Sequence, residues 1–337
     1  MSEEGQPPSR YSGRRLGLFL LLTLALAAAS YLLVELTLPH GSGGSGTISL
    51  TFLFVVPAAL SAFLSYVSDP AADRSLLHYF RLPFFLVLLT LAVGLLFLGE
   101  GMICILMLLP IWAAAALVGS IVIFLVRRSR RGGDRLFWSA ILLLPIVSAQ
   151  AEAGSIAETR GEVAASEIVI EAPPERVWPL LLTIPNVTAE EGHWNVTQDL
   201  LGVPRPSEAV LTSRDGDFVR LARWGSEIRF EERITEVRPG RLLRWEFAFP
   251  DDSIARHTDR HVSPDGAHLK ITTGSYDMTP LPGRRTMLRL ETHYQVTTPI
   301  NAYASLWGDW MLGDIQENVL AIVKERAEGL RAAGRSR

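Results

Sequence analysis

Five apolar runs crowd the first 149 residues of this 337-residue chain. Leu16–Leu38, Ile48–Val67, Leu82–Leu98 and Met102–Val126 approach or exceed the roughly 20 residues that cross a bilayer as helix. Leu136–Ala149, at 14 residues, falls short. Charge divides the chain at the same place. Residues 1–150 carry 10 Lys/Arg and 7 Asp/Glu, whereas residues 151–337 carry 22 and 28. The front half therefore reads as an all-α transmembrane bundle of about five helices (16–149) behind a short tail (1–15), and the acidic back half as a water-facing domain. An acidic domain is a poor match for phosphate backbones, so nucleic acid is not an expected partner. The single cysteine, Cys104, lies inside an apolar run, which excludes an intrachain disulfide and a cysteine-based zinc site.

Arginine placement gives an orientation. Arg10, Arg14 and Arg15 precede the first run, Arg74 and Arg81 lie in the second loop, and Arg127, Arg128, Arg130, Arg131 and Arg135 precede the fifth run. The loops at 39–47 and 99–101 have none. Such alternation predicts a cytoplasmic N-terminus in a bacterial inner (plasma) membrane and, if the fifth run spans, a periplasmic or extracytoplasmic C-terminal domain. Two other readings of the fifth run stay open. Its basic approach, apolar core and Ala149-Gln150-Ala151 exit follow the grammar of a cleaved secretory signal. A re-entrant segment would return the domain to the cytoplasm. The runs contain no ladder of acids and no broken-helix pair, so the bundle reads as an anchor and scaffold.

Gln150–Ala165 is small and polar and reads as a linker. Ser166–Val187 (SEIVIEAPPERVWPLLLTIPNV) opens a domain over 166–331 with an alternating strand. Pro173-Pro174 stops the strand, and a helix with Val177, Trp178, Leu181 and Leu182 on its apolar face follows. Pro179 predicts that this helix is short or kinked. After a polar, Pro-rich stretch to about Ala209, strands are expected at Phe218–Trp224, Glu227–Val237, Arg241–Phe249, Arg256–Val262, Ala267–Thr279 and Thr286–Thr297, with turns at Arg238-Pro239-Gly240, Ser263-Pro264-Asp265-Gly266 and Pro280-Leu281-Pro282-Gly283. A long helix then runs to about Arg331, its apolar face comprising Tyr303, Leu306, Trp307, Trp310, Met311, Ile315, Val319, Ile322 and Val323.

The order of strand, helix, antiparallel strands and long helix, with the opening IVIEAPPERVW, resembles the START-like superfamily, the helix-grip (SRPBCC) group of polyketide cyclase/dehydrase and lipid-transport domains. The resemblance covers about Ser166–Gly329. It implies an α+β helix-grip domain, a curved antiparallel sheet around the C-terminal helix with an apolar cavity between them. Members bind lipids, sterols, polyketides or aromatic ligands, and some are enzymes.

Trp224, Trp245, Phe247, Tyr276, Tyr294, Tyr303, Trp307 and Trp310 are the expected cavity lining, with Trp307 and Trp310 facing the sheet. For any one of them plain core packing is the competing reading. Arg223, Glu232 and Asp314 could orient a ligand. Glu232 falls in phase with Ile228, Phe230 and Ile234, so either it faces inward with an arginine partner or a register break turns it outward. His257, Asp259 and His261 share one face of a predicted strand, but same-face neighbours stand too far apart to converge readily on one ion, and no metal or cofactor is expected. G-x-S-x-G, H-E-x-x-H, P-loop and G-x-G-x-x-G are absent from the sequence. The favoured function is a membrane-anchored binder, or carrier, of a lipid or other hydrophobic small molecule. The alternatives are a cyclase/dehydrase-type enzyme using Glu232, Asp259 or His261, and a ligand-free interaction or sensory module.

Overall fold

The computed structural model describes residues 17–28, 48–69, 71–98, 101–129, 135–152, 157–214, 216–251, 253–254 and 263–329. It divides into two compact units, Met1–Ala157 and Glu158–Arg337.

The first unit is helical: α1 (Gly17–Ala28), α2 (Val56–Ser68) entered through a π-helical turn at Thr51–Val55, α3 (Leu76–Val93) leaving through another at Gly94–Leu98, α4 (Met102–Ser129) and α5 (Arg135–Glu152). Among the described residues, three helices are long and apolar enough to cross a membrane: Thr51–Ser68, Leu76–Phe97 and Met102–Ser129. The sequence led us to expect about five. The first run is described only over Gly17–Ala28, and the polar ends of α5 dilute its hydropathy. Phe84, Phe85, Leu89, Val118 and Leu125 are exposed on the surface of this unit.

Inside the unit, α2 and α4 meet through small residues. Ala59, Ala62, Ala115 and Ala116 are buried, and the Ser65 and Ser120 hydroxyls share a hydrogen bond of 2.7 Å. At Gly119 a Cβ atom would lie 2.1 Å from the Ala58 carbonyl oxygen, so only glycine permits this approach. The fifth helix extends beyond the 14-residue run to Glu152, and Ala149-Gln150-Ala151 is helical. Its last residue explains the extension. The Glu152 carboxylate accepts from the backbone N–H groups of Leu50 and Thr51 at 2.6 and 2.9 Å, which are orphan donors at the start of the second apolar helix.

The second unit is a seven-stranded antiparallel sheet ordered β1-β7-β6-β5-β4-β3-β2. The strands are β1 (Thr159–Ile170), β2 (Pro206–Arg214), β3 (Asp217–Trp224), β4 (Ile228–Arg238), β5 (Leu242–Ala248), β6 (Leu269–Leu281) and β7 (Arg285–Thr297). Helix α6 (Pro174–Leu182) follows β1 and α7 (Asn301–Glu328) closes the chain, as a helix-grip architecture requires. Glycines at positive φ make the hairpin turns, Gly240 between β4 and β5 and Gly283 between β6 and β7.

Two boundaries differ from the sequence reading. Strand β1 starts at Thr159, so residues 159–165 belong to the sheet rather than to a linker. They carry few β-formers, but β7 offers them a complete ladder, from Thr159↔Thr297 to Ile170↔Thr286. Strand β2 occupies part of the stretch read as a polar loop, with Pro206 at a strand start, where a missing N–H is harmless. The expected strand at Arg256–Val262 lies outside the described residues apart from its surroundings, where Gly266 N–H donates to Ser263 O at 2.9 Å and closes the predicted turn.

The main core joins α6, the sheet and α7: Ile170, Val177 and Leu181 pack with Leu243, Trp245, Tyr276, Leu288, Leu320 and Val323. A second cluster under β2–β4 contains Ala209, Ala222, Ile228, Phe230 and Ile254.

Replacing Gly119 by alanine is expected to force α2 and α4 apart. The full chain in detergent should lose about 1–3 kcal/mol of stability, read as a lower midpoint in thermal unfolding followed by circular dichroism. An unchanged midpoint would contradict the close approach.

Candidate functional site

Strand parity decides what the concave face presents. On β3, Arg220, Ala222 and Trp224 point inward, and the register pairs them with Glu232, Phe230 and Ile228 of β4. Farther along β4, Glu232 and Ile234 stand opposite Phe247 and Trp245 of β5, and Leu243 of β5 faces Tyr276 of β6. Aromatic side chains on this face form a row across four strands. Trp224 and Phe230 have ring centroids 5.7 Å apart, Phe230 and Phe247 5.9 Å, Phe247 and Trp245 5.9 Å, and Trp245 and Tyr276 5.1 Å. Phe249 stacks on Phe247 at 6.3 Å. These separations and tilts are those of attractive aromatic pairs. Trp245 and Tyr276 are buried, whereas Trp224, Phe247 and Phe249 are only half-buried, so the row is open at its β3–β5 end.

One ion pair lies against the row. Arg220 Nε donates to the Glu232 carboxylate, Arg220 Nη1 donates to the Leu181 carbonyl at the end of α6, and both side chains are at least nine-tenths buried. The guanidinium also sits over two rings, 5.1 Å from the centroid of Trp245 and 5.5 Å from that of Tyr276. Burial disfavours the arginine's charge, but Glu232 and Tyr276 more than offset this and hold its pKa above the ordinary value. Burial likewise pushes the Tyr276 hydroxyl above the usual tyrosine range, with Arg220 opposing. The interior therefore contains a fixed, internally neutralised dipole set among aromatic faces. Of the two readings of Glu232, the structure adopts the inward one with an arginine partner. That carboxylate is committed to Arg220. The partner itself was missed, because Val219 and Leu221 look like the inward residues of β3, yet Leu221 is exposed. The in-phase Ala222 and Trp224 are the signal that could have found it.

The other expected residues lie elsewhere. Tyr294 is fully buried between β7 and α7. Its hydroxyl donates to Asp309 Oδ1 at 2.6 Å with the Ser305 carbonyl at 3.1 Å, and its ring lies where a Gly308 Cβ would be. Tyr303, Trp307 and Trp310 form a separate cluster on α7, with centroid distances of 6.3 and 5.6 Å. The face of this helix half that meets the sheet includes Ala304, Ser305, Gly308, Leu312 and Gln316, and the small residues Ala304, Ser305 and Gly308 let the first turns of α7 lie close against β1 and β7. Trp307 is accordingly half-buried and Trp310 is 42% exposed, rather than turned onto the sheet. Arg223 makes an exposed ion pair with Glu208, and Asp314 accepts from Thr197 N–H at 2.7 Å to hold a π-helical turn at Val196–Leu200. His257, Asp259 and His261 lie outside the described residues. Among the described residues, no group of three or more His, Cys, Asp or Glu could hold a metal ion.

Removing one member of the ion pair, by Arg220→Met or Glu232→Leu, should cost about 3–5 kcal/mol, because the other charge is left buried and alone. The double variant should recover most of that loss, though not all, since the Leu181 carbonyl stays unpaired. Urea unfolding of the four chains gives the comparison, and additive losses would show that the two side chains do not interact.

Residues 162–328 match the family described as polyketide cyclase / dehydrase and lipid transport. Among solved structures, truncated norcoclaurine synthase from Thalictrum flavum is similar over 52% of this chain and 95% of its own, at 12% identity and a TM-score of 0.32. The Zhui aromatase/cyclase from Streptomyces sp. R1128 is similar over 52% of this chain and 99% of its own, at 18% identity and a TM-score of 0.31. Neither likeness bears on the chemistry. No curated protein matches the chain.

Proposed function

We propose that the C-terminal half of this chain, a domain of the polyketide cyclase / dehydrase and lipid transport family, binds a hydrophobic small molecule or lipid against the concave face of its sheet. The observation that carries this reading is the aromatic row from Trp224 to Tyr276, buried at one end and half-open at the other. A surface of tilted rings flanked by one neutralised polar pair suits an apolar ligand and offers little to a charged one. Its half-buried members would gain from being covered, at about 25 cal/mol per Å² of apolar surface removed from water.

In the same reading the apolar helices anchor the domain to a bilayer, so that a water-insoluble ligand passes between membrane and domain with little exposure to water. The alternation of arginines around the runs supports a cytoplasmic N-terminus and a C-terminal domain on the opposite side.

Native mass spectrometry of the full chain, released from detergent, should show an adduct whose extracted mass is that of an apolar molecule. Phe247→Ala, which breaks the row at its half-open end, should weaken that adduct about tenfold. A clean protein mass that stays clean after incubation with a total membrane extract would overturn the binding reading.

Orientation has its own test. In a Cys104→Ser background, a cysteine replacing exposed Arg238 should react with a membrane-impermeant maleimide in right-side-out vesicles and stay protected in inside-out ones. The reverse pattern would place the domain on the cytoplasmic side.

A further inference from the structure

Among the described residues of the second unit, three buried side-chain polar atoms have no hydrogen-bond partner: Thr197 Oγ1 in the loop after α6 and, on the sheet and on α7, the indole Nε1 of Trp245 and the amide Oε1 of Gln316. Trp245 and Gln316 are each 2% exposed. An unmade hydrogen bond at a buried site is costly, so each such atom calls for a physical account. Those of Trp245 and Gln316 belong to one neighbourhood. The Trp245 indole lies across Gly274, with Nε1 2.8 Å from where a Gly274 Cβ would stand. Gly274 pairs in register with Thr292 on β7, and Thr292 Oγ1 accepts from Gln316 Nε2 at 2.9 Å. Because Gly274 and Thr292 are directly paired, their side-chain positions share one face of the sheet, so the donor of Trp245 and the acceptor of Gln316 address the same β6–β7 rung from the same face.

The orientation of the Gln316 amide is fixed chemically. Its nitrogen also donates to the Ala164 carbonyl at 3.1 Å, and a carbonyl can only accept, so the oxygen must point the other way. A group that satisfies both free atoms must accept from the indole N–H and donate to the amide oxygen. A hydroxyl does both. A ketone, an ether or an ionised carboxylate can only accept. Nor does the site favour an anion, because Arg220, 5.1 Å from the Trp245 ring, is already neutralised by Glu232.

We infer that the ligand is a neutral hydrophobic molecule bearing a hydroxyl group, an alcohol or a phenol, which bridges Trp245 Nε1 and Gln316 Oε1 while its apolar body lies along the aromatic row. The inference rests on the binding reading above and narrows its ligand class.

The test uses the full chain in lipid nanodiscs, with empty nanodiscs as the partition control, titrated calorimetrically with naphthalene, 2-naphthol, 2-methoxynaphthalene and 2-naphthoate. The expected result is 2-naphthol binding about tenfold tighter than 2-methoxynaphthalene, the increment of one well-placed hydrogen bond, with 2-naphthoate no tighter than naphthalene. Gln316→Leu should bring 2-naphthol down to the methoxy level and leave naphthalene nearly unchanged, and Trp245→Phe should abolish the advantage of 2-naphthol over 2-methoxynaphthalene. If Gln316→Leu fails to fold, the ligand series on the unmodified chain and on Trp245→Phe still decides. Naphthalene, 2-naphthol and 2-methoxynaphthalene binding alike would overturn the inference, assigning the two atoms to buried water, and would leave the aromatic-row reading standing. Failure of all four probes to bind would overturn both.

Discussion

The buried pair of Arg220 and Glu232 sets the constraint that the rest of the C-terminal unit obeys. Desolvating two charges is expensive, and an apolar pair of similar volume would do as well or better for stability alone. What the ion pair supplies is placement. A slip of one residue in β3 or in β4 would turn that strand's charge to the other face and leave its partner buried alone beside the Leu181 carbonyl or the rings of Trp245 and Tyr276. The pair therefore pins the parity of two strands, and through that parity it puts Ala222, Phe230 and Trp224 on the concave side. It also ties the end of α6 to the middle of the sheet.

The closing helix is held by a different logic at each end. Near its start, small residues let it lie directly on β1 and β7, and Ser305 donates to Glu162 at 2.8 Å. Toward its end it buries Leu320, Ile322, Val323 and Ala327 as an ordinary amphipathic helix does. Between these, a polar clip fastens the loop after α6. Asn318 Oδ1 accepts from His193 N–H at 2.9 Å, and Gly192, at φ +77°, leaves the room that Asn318 occupies. Arg326 reaches Glu191 at 2.7 Å and the carbonyls of Pro185 and Asn186. Helix, loop and sheet are thus interlocked.

Much of this was legible in the sequence, where periodicity was strong. Alternation located β4 to β7 within a few residues, and the strict pattern of Leu243, Trp245 and Phe247 gave the correct inward face. What escaped was decided by tertiary partners rather than by local preference. Thr159–Ala165 is strand because β7 is long enough to pair it, which no property of those residues announces. The inward turn of Arg220 follows from the register of β3, and a buried arginine contradicts the usual reading of charge as surface. On α7 the apolar stripe containing Leu306 and Trp310 looked like the packing face. Close approach to the sheet selected the small-residue stripe instead and left Leu306 and Trp310 exposed.

That leftover stripe has a definite place in the domain. Asn301, at the start of α7, donates through Nδ2 to the Glu158 carbonyl at 2.7 Å, and Thr159 pairs with Thr297. The first turns of α7 and the point where the chain arrives from the apolar half are therefore the same end of the domain. At 1.5 Å per residue, Leu306 and Trp310 lie about 8 and 14 Å along the helix from that point. Large exposed apolar side chains are costly to keep in water and are retained where something covers them. Under the proposed reading the cover is lipid. The half-buried Trp307 then stands on the helix between that exposed stripe and the interior.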